Sequence, residues 1–332
     1  MDMKNNCMIP ESGHLPDLRG KELLVGSKQL RKALKNGAVS AVFLAQNADP
    51  SITEPLEKLC KTAGVCVTWV RTMKELGFNM LRKHIKVEPL RWYYHCDRYG
   101  MLVWQDMPSG GGRYNLLTIS APLITGMHLN DHHYHLFART DADGRDSYQR
   151  ELTEMVTQLA NCPCIVLWVP FNEGWGQFDA RKATETLRAL DPSRPVDEAS
   201  GWFDRGGGDV HSIHNYFYPL RIRPNVRTVV LSEYGGIAWP MPGHEPPRKT
   251  YGYGTARSRA ELTERYCDLQ RKTVLPQLKK GLSALVYTQL TDVEDEVNGL
   301  FTYDRTAIKP DAAAVRAVNE ALEVEFEKAV KE

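Results

Sequence analysis

Residues 165–179 read IVLWVPFNEGWGQFD. Five apolar residues run without a break from Ile165 to Val169, and Pro170 and Phe171 follow. A short apolar run stopped by proline is the pattern of a strand buried on both faces, the habit of parallel sheets. Directly beyond it stand Asn172, Glu173, Gly174, Trp175 and Gly176. An amide and a carboxylate thus sit at the mouth of a dry strand, in chain loosened by glycine. A carboxylate so placed is either an ordinary surface acid or part of a working site, and the rest of the sequence bears on which.

The same strand signature recurs along the chain. Short runs at 65–70, 78–83, 101–105, 196–199, 209–213, 228–232 and 283–288 join 164–169 to make eight. Helical patterns separate many of them, at 71–77, 91–99, 147–160, 178–190 and 257–280, with Pro276 expected to kink or break the last. Such alternation specifies an α/β fold with a parallel sheet, and eight strands close a (β/α)8 TIM barrel. Residues 107–147 read as a long loop. Upstream lie a helix at 26–37, a β-run at 38–46 and a helix at 51–64 that opens on the capping box Ser51-Ile52-Thr53-Glu54. These are surplus to the barrel and read as a small N-terminal α/β fragment. Residues 1–20 read as a flexible arm, and 309–332 as a charged C-terminal helix on the outside.

The bulk numbers exclude some classes. A chain of 332 residues can bury a sizeable core, and a net charge of +1 gives no global sign of a nucleic-acid or membrane partner. No apolar run approaches membrane-spanning length, and MDMKNNCMIPESGHLPDLRG at the N-terminus has no apolar core of a signal peptide. The seven cysteines are odd in number, and Cys162 and Cys164 form C-P-C. That argues against a disulfide framework or zinc ribbon and for reduced thiols in a cytoplasmic setting.

In a barrel of this kind chemistry sits at the C-terminal ends of the strands. The polar residues there are Arg82, His84, Gln105, Asp106, Asn172, Glu173, His211, His214, Glu233, Gln289 and Asp292. Glu173 and Glu233 stand out, each following a dry strand and preceding glycine-rich chain. Two facing carboxyl groups can hydrolyse a glycosidic bond: one attacks the anomeric carbon and the other protonates the leaving oxygen. Trp168 and Trp175 are candidates for the dry wall that keeps the acid protonated, and Trp104, Trp202, Tyr216 and Trp239 for platforms under a sugar ring. This chemistry calls for no metal and no cofactor. The run MHLNDHHYHLF (127–137) carries His128, His132, His133 and His135 beside Asp131, but without helical pattern it reads as a polar loop at the site's mouth rather than a metal site. DVEDEVNG (292–299) lacks the alternation of a calcium loop, so a substrate-side or structural role is expected. Ser232 lies in S-E-Y-G, not in the G-x-S-x-G of a serine hydrolase.

Four stretches now carry a resemblance: MKELGFNMLRKHIKVEPLRWYYHCDRYGMLVWQDMPSGGG, VPFNEGWGQFD, LSEYGG and YTQLTDVEDEVNGLFTYDR. Residues from about 72 to 305 resemble the catalytic barrel of glycoside hydrolase family 2, the β-galactosidase, β-glucuronidase and β-mannosidase group. The resemblance implies a retaining β-glycosidase with Glu173 as general acid/base and Glu233 as nucleophile. It implies Asn172 on the sugar's 2-hydroxyl, Arg82 beneath the nucleophile and Tyr216 bonded to it. His84, Asp106, Trp175, His214 and Gln289 would face the substrate.

The segment GKELLVGSKQLRKALKNGAVSAVFLAQNADPSITEPLEKLCKTAGVCVTWVRTMKELG (20–77) resembles a different family, the kink-turn RNA-binding ribosomal proteins in their small bacterial form. That resemblance implies RNA contact through Lys28, Gln29 and Lys32, within 28–35. Lys28, Arg31, Lys32 and Lys35 also make four positive charges in eight residues, which a solvated helix face does as well. The two resemblances meet at MKELG (73–77), and the chain reads as a splice of the two. Residues 65–77 would then replace the first β/α unit of a barrel spanning 65–308, and 21–77 would be a truncated RNA-binding-like segment. The expected function is β-glycoside hydrolysis. A kink-turn RNA-binding protein with a passenger barrel, or a barrel that binds carbohydrate without turnover, stay open as alternatives.

Overall fold

The computed structural model describes residues 27–45, 50–70, 73–114, 128–244, 250–305 and 307–331, with Thr118, Pro122, Thr125 and Gly126 besides. The arm expected over 1–20 lies outside the described residues.

The chain begins with a small α/β unit: α1 (Ser27–Lys35), β1 (Ala41–Ala45), α2 (Pro50–Ala63) and β2 (Cys66–Val70). The two strands pair in parallel, Ala41 opposite Cys66 and Ala45 opposite Val70. Leu34, Val42, Leu44, Leu56 and Cys60 form a core of their own beneath them. Lys28, Gln29, Arg31, Lys32 and Lys35 lie exposed on α1.

This corrects one expectation. Residues 65–77 do not stand in for the first barrel unit, because β2 spends its hydrogen bonds on β1 in a separate two-stranded sheet. The connection to the next strand explains why. Only residues 71–79 join them, including a 3-10 turn at Met73–Leu76. A parallel crossover needs a dozen or more residues.

The barrel elements follow: β3 (Met80–Lys83), α3 (Leu90–Tyr99), β4 (Leu102–Asp106), α4 (Ala142–Leu159), β5 (Ile165–Val169), α5 (Ala180–Leu190), β6 (Val210–Asn215), β7 (Thr228–Gly235), α6 (Arg259–Asp268), β8 (Leu282–Thr288) and α7 (Ala312–Lys331). The strands form two parallel groups, β3-β4-β5 and β6-β7-β8. Pro195–Ser200 joins the groups, but through two isolated parallel bridges, Val196 to Trp168 of β5 and Ser200 to Asn172 just beyond it, rather than as the continuous strand expected there. Pro195 has no N–H to give, and the Val196 N–H is diverted to the Asp209 carboxylate at 2.8 Å. Among the described residues this makes seven barrel positions. β8 and β3 lie side by side across the remaining gap without a hydrogen-bonded ladder. A complete eight-strand barrel is therefore not present among them. The seam leaves its mark: all of β3 and Ala284, Leu285 and Val286 of β8 are only half-buried, where strands of a closed barrel are covered on both faces.

Trp104, Leu167, Val169, Val210 and Val230 fill the barrel interior, with Met80, Ala284 and Val286 against them. The layer between strands and helices holds two larger clusters. The helix expected over 257–280 passes through a six-residue π-helical stretch, Leu269–Val274, before resuming at Leu275–Leu278. Pro276 sits in the first turn of the resumed helix, where its missing N–H costs least. The helix α4 begins earlier than expected, because the Asp141 side chain accepts the N–H groups of Asp143 and Gly144 and caps it there. The C-terminal helix is also corrected. It does not merely decorate the surface: Val315, Val318 and Leu322 are buried in the cluster that holds Leu76 and Tyr266, each contributing about 2 kcal/mol. Its Asn319 donates to the Leu76 carbonyl and accepts from the Tyr266 hydroxyl, both at 2.8 Å. No helix among the described residues is long and apolar enough to cross a membrane. Cys60, Cys96, Cys162, Cys164 and Cys267 are free thiols.

Candidate active site

The C-terminal ends of the strands converge on one polar cluster. Arg82 rises from β3 and spends its whole guanidinium there. Its Nε and Nη2 donate to the two carboxylate oxygens of Asp106 at the end of β4, at 3.0 and 2.8 Å. Nη2 also reaches Asn172 Oδ1 at 2.8 Å, and Nη1 reaches Glu233 Oε1 at 2.9 Å. A bidentate arginine clamp of this kind sets both the place and the charge of its partners. The other oxygen of Glu233 accepts from the Tyr216 hydroxyl at 2.5 Å, and that hydroxyl lies 3.0 Å from Thr288 Oγ1 at the end of β8. The Tyr216 ring is stacked on Tyr253 at 3.6 Å. His84, half-exposed, meets Asn172 Nδ2 through its Nε2 at 3.0 Å.

Glu173 is held differently. Its backbone is left-handed, φ 51°, an uncommon state for a residue other than glycine. Two backbone bonds brace the turn: Glu173 N to Ser200 O and Trp175 N to Asn172 O, both 2.9 Å. Its Oε1 lies 2.7 Å from His214 Nδ1, and the opposite ring nitrogen of His214 lies 3.0 Å from Ser200 Oγ. The His214 side chain is fully buried and also lies 3.5 Å from Glu233 Oε2. Gly201 makes this possible. With φ 94° it lies flat against the imidazole, and a Cβ there would come within 2.8 Å of the ring. Glu173, His214 and Glu233 each bring a donor atom within 4.8 Å of the others. That spacing would also suit a divalent cation, but His214 and Arg82 already hold oxygens of the two glutamates.

Burial pushes the Glu233 carboxyl up, yet His214, Arg82, His84 and the Tyr216 hydroxyl outweigh it and bring its pKa down to about 2. Glu233 is therefore an anion at any ordinary pH. Burial also lifts Asp197, deep beneath the cluster, to about 6.

Of the residues expected at the site, Arg82, His84, Asp106, Asn172, Glu173, His214, Tyr216 and Glu233 come together in this network. Gln289 follows β8 and bonds to Glu296 and Asn298. Trp175 stands edge-on to Tyr114 at 4.7 Å, and its side chain shares no hydrogen bond with this network among the described residues. Trp202 stands edge-on to His214 at 5.7 Å. Trp168 is not a wall of the site: its Nε1 donates to Asp191 at 3.0 Å, on the helix side of β5. Trp104 is buried inside the barrel, and Trp239 in a separate cluster with Ile237 and Leu262, so neither is a sugar platform. His211 pairs with Asp204, and Asp292 with the buried Lys309. In the His-rich run, Asp131 caps α5 through Ala180 N at 2.9 Å and His132 pairs with Asp179, so the segment is loop architecture. Ser200, Tyr253, Thr288 and Glu296 belong to the cluster without having been singled out. Glu296 alone had a signal, its place in the acidic run 292–299.

Residues 62–235 match the family described as "Glycosyl hydrolases family 2, TIM barrel domain". The chain belongs to that family. β-Galactosidase from Klebsiella pneumoniae is 30% identical over 139 residues, which are 42% of this chain and 12% of that protein. The family 2 chain thus spans about an eighth of the length of such β-galactosidase relatives. A solved structure of β-D-glucuronidase from Dictyoglomus thermophilum has a similar fold, with TM-score 0.52 at 14% identity over 85% of this chain and 50% of that one. The N-terminal part matches a second family, "Ribosomal protein L7Ae/L30e/S12e/Gadd45 family", over residues 15–91. An RNA-binding protein of Geobacillus sp. (strain WCH70) is 43% identical there over 60 residues, 18% of this chain and 73% of that protein. The two matches overlap over 62–91, a stretch that contains Met73–Gly77.

Proposed function

We propose that this family 2 chain is a retaining β-glycosidase in which Glu233 is the nucleophile and Glu173 the general acid/base. The observation that carries the reading is the separation of the two glutamates, with one oxygen from each within 4.8 Å of the other. Retaining pairs stand about 5–5.5 Å apart, and inverting pairs wider, to admit a water. Charge supports the division of roles. Glu233 carries the Arg82 guanidinium and a pKa of about 2, so it is always ready to attack and never able to supply a proton. Glu173 meets the His214 imidazole rather than a guanidinium, which leaves it as the other carboxyl of the pair, the one to serve as acid/base.

The reaction follows from these positions. Glu233 attacks the anomeric carbon, the glycosidic C–O bond breaks, and the proton of Glu173 passes to the departing oxygen. Glu173 then takes a proton from water, the water oxygen bonds to the anomeric carbon, and Glu233 leaves as carboxylate. Asn172, fixed by Arg82 and His84, is aimed to meet a sugar hydroxyl. The test is proton NMR of an aryl β-glycoside during hydrolysis. The first sugar formed is expected to be the β-anomer. An α-anomer would mean inversion, and binding without any turnover would leave only a carbohydrate-binding barrel.

The N-terminal unit supports a second reading, RNA contact through Lys28, Gln29 and Lys32. They lie together and exposed at the start of α1, where free N–H groups favour phosphate. The double variant Lys28→Ala/Lys32→Ala is expected to weaken kink-turn RNA binding. The slope of log affinity against log salt should become shallower by about 2. A gel-shift titration at several salt concentrations measures it, and an unchanged slope removes these lysines from the contact.

A further inference from the structure

Behind Glu173 a row of buried hydroxyls leads away from the site. Glu173 Oε1 meets His214 Nδ1 at 2.7 Å, and the other ring nitrogen, Nε2, lies 3.0 Å from Ser200 Oγ. Ser200 Oγ lies 3.3 Å from Ser212 Oγ on β6, and Ser212 Oγ lies 2.5 Å from Ser232 Oγ on β7. Ser232 Oγ in turn donates to the Ile213 carbonyl at 3.3 Å. The three serines and the His214 side chain are all buried, so each hydroxyl must find its partners inside the protein.

A serine has a single proton to give, and that sets the direction of the row. The proton of Ser232 goes to the Ile213 carbonyl, so Ser212 is the donor in its 2.5 Å contact with Ser232. The buried Asp197 carboxylate is a second acceptor for the same Ser212 proton and leads to the same result. Ser212 then has none for Ser200. Ser200 therefore donates to Ser212, and the proton in the contact between Ser200 and His214 comes from Nε2. Gly201 packs flat against the imidazole and Trp202 stands edge-on to it at 5.7 Å, which holds the ring in this orientation. With Nε2 committed to Ser200, only Nδ1 is left to exchange a proton, and it faces Glu173. A bare Nδ1 and a bare carboxylate oxygen 2.7 Å apart make no hydrogen bond, so one proton lies between them.

We propose that Ser200, Ser212 and Ser232 are positioning residues: their one-way chain fixes a proton on His214 Nε2 and so keeps the proton shared by His214 Nδ1 and Glu173 where Glu173 can pass it to the leaving oxygen. The proposal rests on the glycosidase reading above. Without the chain the imidazole can carry its proton on Nδ1 instead and donate it to a Glu173 carboxylate. The pair then holds one proton fewer, and the acid/base lacks the one it has to give.

The test reads the tautomer and the proton transfer separately. Ser200→Ala and Ser212→Ala each remove one hydroxyl and are compared with the unmodified protein. Long-range proton–nitrogen NMR of histidine-labelled protein at neutral pH shows which ring nitrogen is protonated, with His214 assigned by the signals missing in His214→Gln. The unmodified protein is expected to show a protonated Nε2, and both alanine variants a form with Nε2 bare. Turnover is measured on two aryl β-glycosides, one with a 2,4-dinitrophenolate leaving group, which departs without a proton, and one with 4-methoxyphenolate, which needs one. In the alanine variants kcat/KM should fall about tenfold for the methoxyphenyl glycoside and less than about twofold for the dinitrophenyl one. A bare Nε2 in the unmodified protein, a tautomer unmoved in both variants, or equal losses on the two glycosides overturns the assignment and leaves the hydrolase standing. The expected tautomers in a protein that hydrolyses neither glycoside keep the hydroxyl chain and remove the hydrolase.

Discussion

Glu233→Ala is expected to lower kcat/KM toward an aryl β-glycoside roughly 10⁴-fold or more while the protein stays folded. The size of the loss follows from what the side chain does. It carries the oxygen that would bond to the sugar, and no other carboxylate of the described cluster stands in the same place. Asp106 is turned onto Arg82 by two bonds at 3.0 and 2.8 Å, and Glu296 is held by Gln289 at 2.7 Å. Folding should survive because Arg82 keeps Asp106 and Asn172 as partners. The pH profile carries the same argument. With the Glu233 pKa at about 2, protonation of the nucleophile sets no acid limb between about pH 3 and pH 7. Initial rates and circular dichroism on the two proteins decide the matter. A variant that keeps a tenth of the activity would show that Glu233 is not the nucleophile.

How far the sequence could go is visible residue by residue. Arg82, Asp106, Glu173 and Glu233 were legible because strand ends announce themselves, as a dry run broken by a polar residue. Trp168 misled because its identity was read without its parity. Leu167 and Val169 face the barrel interior, so the residue between them must face the helices, and an indole belongs there as readily as in a site. Residues 65–70 misled for another reason. They do form a strand, but a strand's partner is a long-range fact, and an apolar run by itself does not say which strand lies beside it. Thr288 and Ser200 carried no local sign at all. Their roles come from closure, which sets Thr288 against Tyr216 and Ser200 against His214 across gaps of 72 and 14 residues.

Arg82→Met should be the most damaging single change to the barrel itself, costing about 3–5 kcal/mol of stability at neutral pH. Methionine fills much of the same volume, so the loss is one of charge rather than of packing. It strands Asp106, 1% exposed, and Glu233 together with no cation between them. Burial by itself would lower the arginine's own pKa, but Asp106 and Glu233 raise it further, so the clamp is charged at every accessible pH. The sign of the pH dependence follows. Glu233 has its folded pKa depressed from 4.5 to about 2, so its stabilisation is complete above about pH 4.5 and is lost as pH falls toward 2. That term amounts to about 3 kcal/mol, and it should shrink in Arg82→Met, whose stability would fall less steeply on acidification. Activity should drop as well, because Glu233 without its guanidinium binds a proton at higher pH and gains an acid limb the parent lacks. Arg82→Lys separates charge from geometry. One ammonium cannot reach Asp106, Asn172 and Glu233 at once, so it should restore stability only in part and activity less. Urea denaturation at pH 7 and pH 4 measures these terms. A loss under 1 kcal/mol at pH 7 would mean that the two carboxylates are not coupled through Arg82.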